Sequence, residues 1–265
     1  MNKNKIPALV RYPDIGALLD VILSRIQGVL GEKLKGLYLY GSLVAGDFDY
    51  EISDIDFLAA LDTTINEKEL SELEKMHDKL ARENPRWNNR IEVAYVSLDA
   101  LKTFKTKQSK IANTSPGEPL HFLEAGRDWL LNWHFARVCG VTLFGESPEE
   151  IIEPVSKDEF IENVRRQAAE RAANVEDARH SRPYQAYLIM TLCRALYVVE
   201  RGEQVSKRRA ASWVKKKFPE YAALIENAFE WRAKSRDKNF NHEATFPEAR
   251  EFILFIAGKI KESEM

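Results

Sequence analysis

The chain has 265 residues and a mass of 30.5 kDa, which is enough for one large domain or two ordinary ones. Its formal net charge is −2, from 39 Lys and Arg against 41 Asp and Glu, so it lacks the basic excess of a general nucleic-acid binder. Its two cysteines, Cys139 and Cys193, have neither CxxC nor zinc-ligand spacing, which disfavours a disulfide scaffold or a structural metal site.

The apolar residues are spread in short runs. The sequence contains no stretch of about 18 consecutive apolar residues and no N-terminal apolar segment followed by a cleavage site. We therefore expect a cytoplasmic protein without a membrane partner. Composition leaves open whether it is a monomer or a homodimer.

The N-terminal part alternates between helical and strand patterns. Apolar residues recur at helical spacing in residues 14–30 and 70–80, which predicts two amphipathic helices. Residues 37–40, 55–61 and 91–96 are short apolar runs bounded by turn residues, which predicts three strands. This order is typical of a small α/β unit with a mixed sheet.

A polar segment at residues 105–119 contains Ser, Thr, Pro and Gly, and we place the domain boundary there. After it the pattern is helical throughout. For example, one predicted helix begins at Pro183 and is closed by Gly202. The predicted fold class is α+β, with an α/β domain at residues 1–110 followed by an all-helical bundle domain at residues 118–265.

Residues 37–62 contain the pattern that is most informative about possible reaction chemistry. Gly41-Ser42 ends one predicted strand, while Asp54 and Asp56 begin the next, where residues two apart point to the same face. Two close carboxylates repel each other unless a cation lies between them, and Mg²⁺ commonly takes one or two carboxylates plus substrate phosphates. The glycine allows close approach of a phosphate, and the serine hydroxyl can donate to it.

Glu92 lies within the third apolar strand, where a carboxylate is costly unless it has a partner. We therefore expect it to face the same cleft as Asp54 and Asp56. Three carboxylates and a Gly-Ser turn favour nucleotidyl transfer, in which a carboxylate accepts the proton of the attacking hydroxyl beside two metal ions. Taken singly, Asp-x-Asp at a strand start is more often a turn with solvated carboxylates, and a Gly-Ser pair is a weak signal.

The Gly41-Ser42 pair followed by Asp54-Ile55-Asp56 resembles the nucleotidyltransferase fold of the DNA polymerase beta superfamily. Residues 128–145 and 187–213 resemble the helical domain of the aminoglycoside 3''/9 adenylyltransferases, the streptomycin–spectinomycin group. The resemblance implies a nucleotidyltransferase domain followed by a helical domain. It also implies transfer of AMP from ATP to a hydroxyl of a small molecule, possibly an aminoglycoside, with release of pyrophosphate.

The resemblance further implies roles for particular residues, in a site between the two domains. Asp54, Asp56 and Glu92 would bind two Mg²⁺ ions, and Glu92 would also be the base that activates the acceptor hydroxyl. ATP would be the co-substrate. The implied nucleotide contacts are Gly41, Ser42, Ser53, Arg194, Lys207 and Trp231.

The implied contacts in the helical half also have structural interpretations. Ser206 is a good N-cap, so Lys207 would stand at a helix N-terminus, which favours anions; the alternative is a surface lysine. Arg194 is the only charged residue in an apolar stretch, where it either contacts the nucleotide or pairs with an acidic residue. Trp231 either stacks on adenine or fills the core.

The residues expected to bind the acceptor differ from those of the family. In an ungapped alignment on Lys207, the family's two drug-binding aspartates and its histidine fall at His180, Tyr184 and Tyr187. A pocket without those carboxylates should hold a polycationic aminoglycoside less well, which leaves the acceptor open. The acidic loop at residues 47–51 is either a compensating patch or a solvated turn.

Two alternative functions remain. The chain could transfer AMP to a protein, or it could be a catalytically silent nucleotide-binding sensor. A sensor would be expected to have lost a carboxylate, whereas all three are present here. The histidines at 77, 121, 134 and 242 show no ligand spacing and are expected to be structural or surface residues.

Overall fold

The computed structural model describes residues 12–233 and 241–263, so the first residues, where we expect no export signal, lie outside the described part. Contacts divide the chain into two units, residues 1–155 and 156–265. This division falls later in the chain than the boundary predicted at residues 105–119.

The described part of the first unit is built on a six-stranded sheet with the spatial order β5-β4-β3-β2-β1-β6. Neighbouring strands are antiparallel except for β2 and β3, which are parallel, so the sheet is mixed, as predicted. The strands in chain order are β1 Leu34–Tyr40, β2 Ile55–Leu61, β3 Ile91–Ser97, β4 Ser109–Ser115, β5 Glu118–Ala125 and β6 Val141–Gly145.

Strands continue beyond the point at which the sequence pattern predicted that they end. The prediction that every element after the third strand is helical is wrong, because β4, β5 and β6 all follow it. Much of the segment predicted as a linker forms β4 and the turn into β5. Its Pro116-Gly117 pair makes the turn, with Gly117 at φ 87°, and only the middle of β4 is buried. Because β4 has polar ends and is followed by a Pro-Gly turn, the composition of this segment resembles that of a linker.

Six helices accompany this sheet in the described residues. The N-terminus of α3 is fixed by a capping box, in which Asn66 and Glu69 each bind the other's backbone N–H. The helices are α1 Pro13–Leu30, α2 Ser42–Ala45, α3 Glu67–Glu83, α4 Leu98–Thr103, α5 Leu130–Cys139 and α6 Pro148–Ile151. The two helices predicted in this region correspond to α1 and α3.

The two faces of the sheet carry different residues. Leu39, Phe57 and Val93 lie on one face, where they share a buried core with α1 and α3 residues such as Ile22 and Leu73. Side chains alternate along a strand, so the neighbouring residues of these strands point to the opposite face. That opposite face carries the candidate site.

The second unit is helical throughout its described residues, as predicted. The central helix α8 is buried along most of its length and contacts each of the other four. Gly202 ends it in the left-handed conformation at φ 67°, which confirms the predicted C-terminal cap. No described helix of either unit is both long and apolar enough to cross a membrane. The helices are α7 Lys157–Ala173, α8 Arg182–Arg201, α9 Lys207–Lys217, α10 Ala222–Ala233 and α11 Phe246–Glu262.

A buried glutamine ties the start of α8 to the segment before α11. The Gln185 side chain is fully buried and donates to the carbonyl oxygens of Ala178 (3.0 Å) and His242 (2.9 Å). Its own amide oxygen accepts a hydrogen bond from the Thr245 hydroxyl at 2.7 Å. The His242 side chain accepts the Arg182 N–H through Nδ1 at 3.2 Å, so it has a structural role, as the sequence predicted.

We expect Gln185→Ala to lower the stability of the helical unit by about 2 kcal/mol, because it leaves buried carbonyl and hydroxyl groups without partners. Thermal unfolding should show the loss as a lower midpoint. Gln108→Ala, which truncates an exposed glutamine, is the control and should leave the midpoint nearly unchanged. Equal midpoints for the two variants would contradict this account.

Candidate active site

Strand register places three polar side chains in a row. Tyr40 of β1 is paired with Asp56 of β2, and Asp56 is paired with Glu92 of β3. Residues paired across neighbouring strands project to the same face, so the three lie side by side on the face opposite the α1 and α3 core. Asp56 and Glu92 thus lie on one face, as the sequence pattern predicted.

Gly41 makes room for one of these carboxylates. It follows β1 directly, with φ 76° and ψ −154°, a conformation essentially restricted to glycine. A Cβ at this position would overlap the carboxylate of Asp56. Ser42, the second half of the predicted Gly-Ser turn, begins the four-residue helix α2 and is half-buried.

The turn that precedes Asp54 is closed by its own hydrogen bonds. The Ser53 hydroxyl accepts from the Asp49 N–H at 2.9 Å, and the Ser53 N–H donates to the Asp49 carbonyl at 2.8 Å. Ser53 is only 1% exposed, so its side chain lies inside the turn. The Asp49 carboxylate accepts the Glu51 N–H at 3.0 Å, so it also serves the turn. For the acidic loop, these bonds favour the solvated-turn interpretation over a compensating patch.

Negative charge is concentrated around Glu92. Burial, and then the negative charges of Asp54 and Glu118, raise the pKa of Glu92 from 4.5 to about 7. Burial, together with Glu92 and Asp56, raises the pKa of Tyr40 well above its usual value. Sequence patterns did not identify Glu118, because it reaches this region only through the β4–β5 hairpin.

The predicted three-carboxylate metal site is not formed as a complete ligand set. Among residues 12–233 and 241–263, no group of three or more His, Cys, Asp or Glu side chains is placed to hold a metal ion. Mg²⁺, however, is commonly bound by one or two carboxylates together with substrate phosphates. Asp54 and Asp56 supply carboxylate oxygens, the ligand type that a hard cation of this kind prefers, so they are suitable ligands.

The nucleotide contacts predicted in the helical unit have different surroundings. Lys207 begins α9 after Ser206, whose hydroxyl caps the helix by accepting the Arg209 N–H at 3.2 Å, as predicted. Arg194 is half-buried on α8. Trp231 is only 8% exposed, which favours its core interpretation over stacking on adenine.

The positions aligned with the family's drug-binding residues form an aromatic pair. Tyr184 and Tyr187 are exposed by 37% and 39%, and their rings stack at 5.9 Å with an interplanar angle of 12°. The ammonium nitrogen of Lys207 lies 4.6 Å from the centre of the Tyr187 ring. This surface combines two aromatic rings with a cation, and neither tyrosine carries a carboxylate.

The first unit is a mixed sheet with Asp56 and Glu92 in register, and the chain continues into a helical unit. Residues 150–258 match a family model described as the C-terminal domain of aminoglycoside adenylyltransferases. The chain is also similar to a spectinomycin adenyltransferase, AAD(9) from Enterococcus faecialis, solved with ATP and spectinomycin. That match has a TM-score of 0.72 at 16% identity and covers 93% of this chain and 99% of the other.

These matches confirm the predicted resemblance and fold class. Residues 150–258 match the C-terminal domain of that family, and the chain as a whole shares its fold with the solved adenyltransferase. Two further similarities are to a toxin–antitoxin structure with AMP-PNP and to a tri-AMPylated Shewanella oneidensis HEPN toxin with its MNT antitoxin. They have 17% and 15% identity, cover 60% and 61% of this chain and 96% of each solved chain, and reach TM-scores of only 0.30 and 0.28.

Gly41→Ala should destabilise the first unit by about 3 kcal/mol, for two reasons. An alanine is strained in this backbone conformation, and its Cβ would overlap the Asp56 carboxylate. Gly46→Ala is the control: Gly46 has the same φ of 76°, but a Cβ there would meet no atom within 4 Å. The free energy of unfolding of that variant should fall by only about 1 kcal/mol. Chemical denaturation measures both losses, and equal losses would argue against the overlap.

Glu92→Gln should stabilise the protein above pH 7 in buffer without divalent cations. The folded protein holds the Glu92 proton more tightly than the unfolded chain does, so this stability is present below pH 4.5 and is lost as the pH rises through 7. The neutral amide avoids that loss, which amounts to about 3 kcal/mol. Unfolding at pH 5 and pH 8 tests the effect, with the exposed Glu124→Gln as control; a gain independent of pH would contradict it.

Proposed function

We propose that the protein transfers AMP from ATP to a hydroxyl of a small molecule and releases pyrophosphate. The observation that carries this proposal is the row formed by Asp56 and Glu92, with the charge of Asp54 acting on Glu92. The shared fold with a spectinomycin adenyltransferase and the family domain at residues 150–258 support it independently.

Glu92 acts as the general base. A carboxylate with a pKa near 7 can accept a proton at neutral pH and is a stronger base than an ordinary glutamate. It takes the proton of the acceptor hydroxyl as that oxygen attacks the α-phosphorus of ATP. The bond from the α-phosphorus to the bridging oxygen of pyrophosphate breaks, and pyrophosphate leaves with that electron pair.

Asp54 and Asp56 hold Mg²⁺, which when bound supplies positive charge to the triphosphate. Gly41 and Ser42 lie beside these carboxylates in the chain fold and bind the phosphates. Nucleotide contact through Lys207 and Arg194, which belong to the helical unit, stays a prediction from the sequence. Because Ser53 and Trp231 are buried, they are assigned structural support rather than nucleotide contact.

The acceptor belongs to the hydroxylated small molecules, and aminocyclitol and aminoglycoside antibiotics are the first candidates. The solved AAD(9) structure contains spectinomycin, which makes it the leading compound to test. His180 and Tyr184 are aligned with the family's two drug-binding aspartates, and Tyr187 is aligned with its histidine. We therefore expect acceptors with fewer positive charges than streptomycin to be preferred.

Pyrophosphate release with ATP, Mg²⁺ and a panel of aminoglycosides and other hydroxylated compounds tests this function. The wild-type chain should release pyrophosphate only with some acceptors, and the modified acceptor should gain one AMP. Tight ATP binding without release from any acceptor would instead indicate a nucleotide sensor.

Glu92→Gln should lower turnover about a hundredfold or more while leaving ATP affinity nearly unchanged, because it removes the base but keeps the shape of the side chain. Steady-state kinetics and direct ATP binding separate the two effects. Glu124→Gln on β5 is the matched control and should behave like wild type. Full turnover in Glu92→Gln would show that another group is the base.

A further inference from the structure

Arg90 is a buried arginine directly before β3, only 3% exposed, and the proposed reaction gives it no role. Its guanidinium donates to the carbonyl oxygen of Ser53 through Nε at 3.1 Å and through Nη2 at 2.5 Å. Nη2 also donates to the carbonyl oxygen of Tyr50 at 2.8 Å. The side chain therefore binds the backbone of the turn that leads into Asp54 through hydrogen bonds.

The position of these bonds matters because the peptide unit is planar. The Ser53 carbonyl belongs to the same rigid plane as the Asp54 nitrogen, so fixing the oxygen fixes the direction in which the chain enters Asp54. On the other side, the Ile55 N–H donates to the Arg90 carbonyl at 2.9 Å. Asp54 thus lies between two backbone anchors, both supplied by Arg90.

Arg90 is itself held in place. Its guanidinium carbon lies 4.6 Å from the centre of the Trp87 ring, and its N–H donates to the Trp87 carbonyl at 3.1 Å. Trp87 is 5% exposed and packs near Tyr50, at 5.6 Å between ring centres. A planar guanidinium stacked on a buried ring has little freedom to turn, so its donors are pre-aligned with the two carbonyls.

We propose that Arg90 is a positioning residue, which orients the Asp54 carboxylate for a divalent cation by fixing the Ser53–Asp54 peptide. This inference rests on the proposed function, because it concerns the same carboxylates. Residues that orient metal ligands from outside the ligand set commonly change metal affinity by about 10- to 100-fold when they are replaced.

The test measures binding of Mn²⁺ to the full-length chain by electron paramagnetic resonance, which needs no turnover. Arg90→Lys keeps the charge but cannot donate to both carbonyls in the same fork geometry. We expect its Mn²⁺ dissociation constant to rise about tenfold. The Mg²⁺ concentration that half-saturates the rate should rise in parallel, with a smaller change in kcat at saturating Mg²⁺.

Arg86→Lys is the matched control, because Arg86 contacts the same turn only through side chains. It pairs with Glu51 at 3.2 Å and lies over the Tyr50 ring at 4.7 Å, so the control should keep wild-type Mn²⁺ affinity. In an Asp54→Asn background, Arg90→Lys should cause little further loss, because its effect passes through Asp54.

Each outcome decides the question. Unchanged Mn²⁺ affinity in Arg90→Lys, or equal losses in Arg90→Lys and Arg86→Lys, would overturn the positioning role. Arg90→Gln is the second variant; if neither variant kept a cooperative unfolding transition, Arg90 would be a general structural residue and the proposal would be wrong. A wild-type chain that binds Mn²⁺ and ATP but transfers no AMP would contradict the proposed function alone.

Discussion

The candidate site depends on the parallel pairing of β2 with β3. Phe57 and Val93 from these strands pack in the core with α1 and with α3, the helix that connects the two strands. Because side chains alternate along a strand, a shift of one residue would turn Asp56 or Glu92 into that core. The register that buries the apolar residues is therefore the same register that brings the carboxylates together.

Carboxylates placed in this way repel one another, so packing and backbone contacts must hold them. Gly41 contributes by having no side chain at the point where Asp56 approaches. Arg90 contributes by bonding to the backbone before Asp54, while burial and nearby charges keep the pKa of Glu92 near neutrality. A site whose charges are fixed before the ligand arrives needs little rearrangement to stabilise a cation and a developing phosphate charge.

Strand periodicity located Asp56 and Glu92, and the cost of an unpartnered carboxylate in an apolar strand predicted that they share a face. The same periodicity could not reveal Arg90, which acts on a backbone carbonyl of Ser53, 37 residues earlier. Such a contact imposes no recognisable residue pattern on its partner. The sequence did not identify Glu118 for another reason. The hairpin that brings it near Glu92 has the polar composition of a linker.

The raised pKa of Glu92 also bears on the stability of the fold itself. Crowded carboxylates make the fold less stable above pH 7 than it would be without them. Any ligand that binds the folded state alone and relieves this repulsion shifts the folding equilibrium towards the folded chain. The residues that prepare the site for a ligand therefore lower the stability of the protein when no ligand is bound.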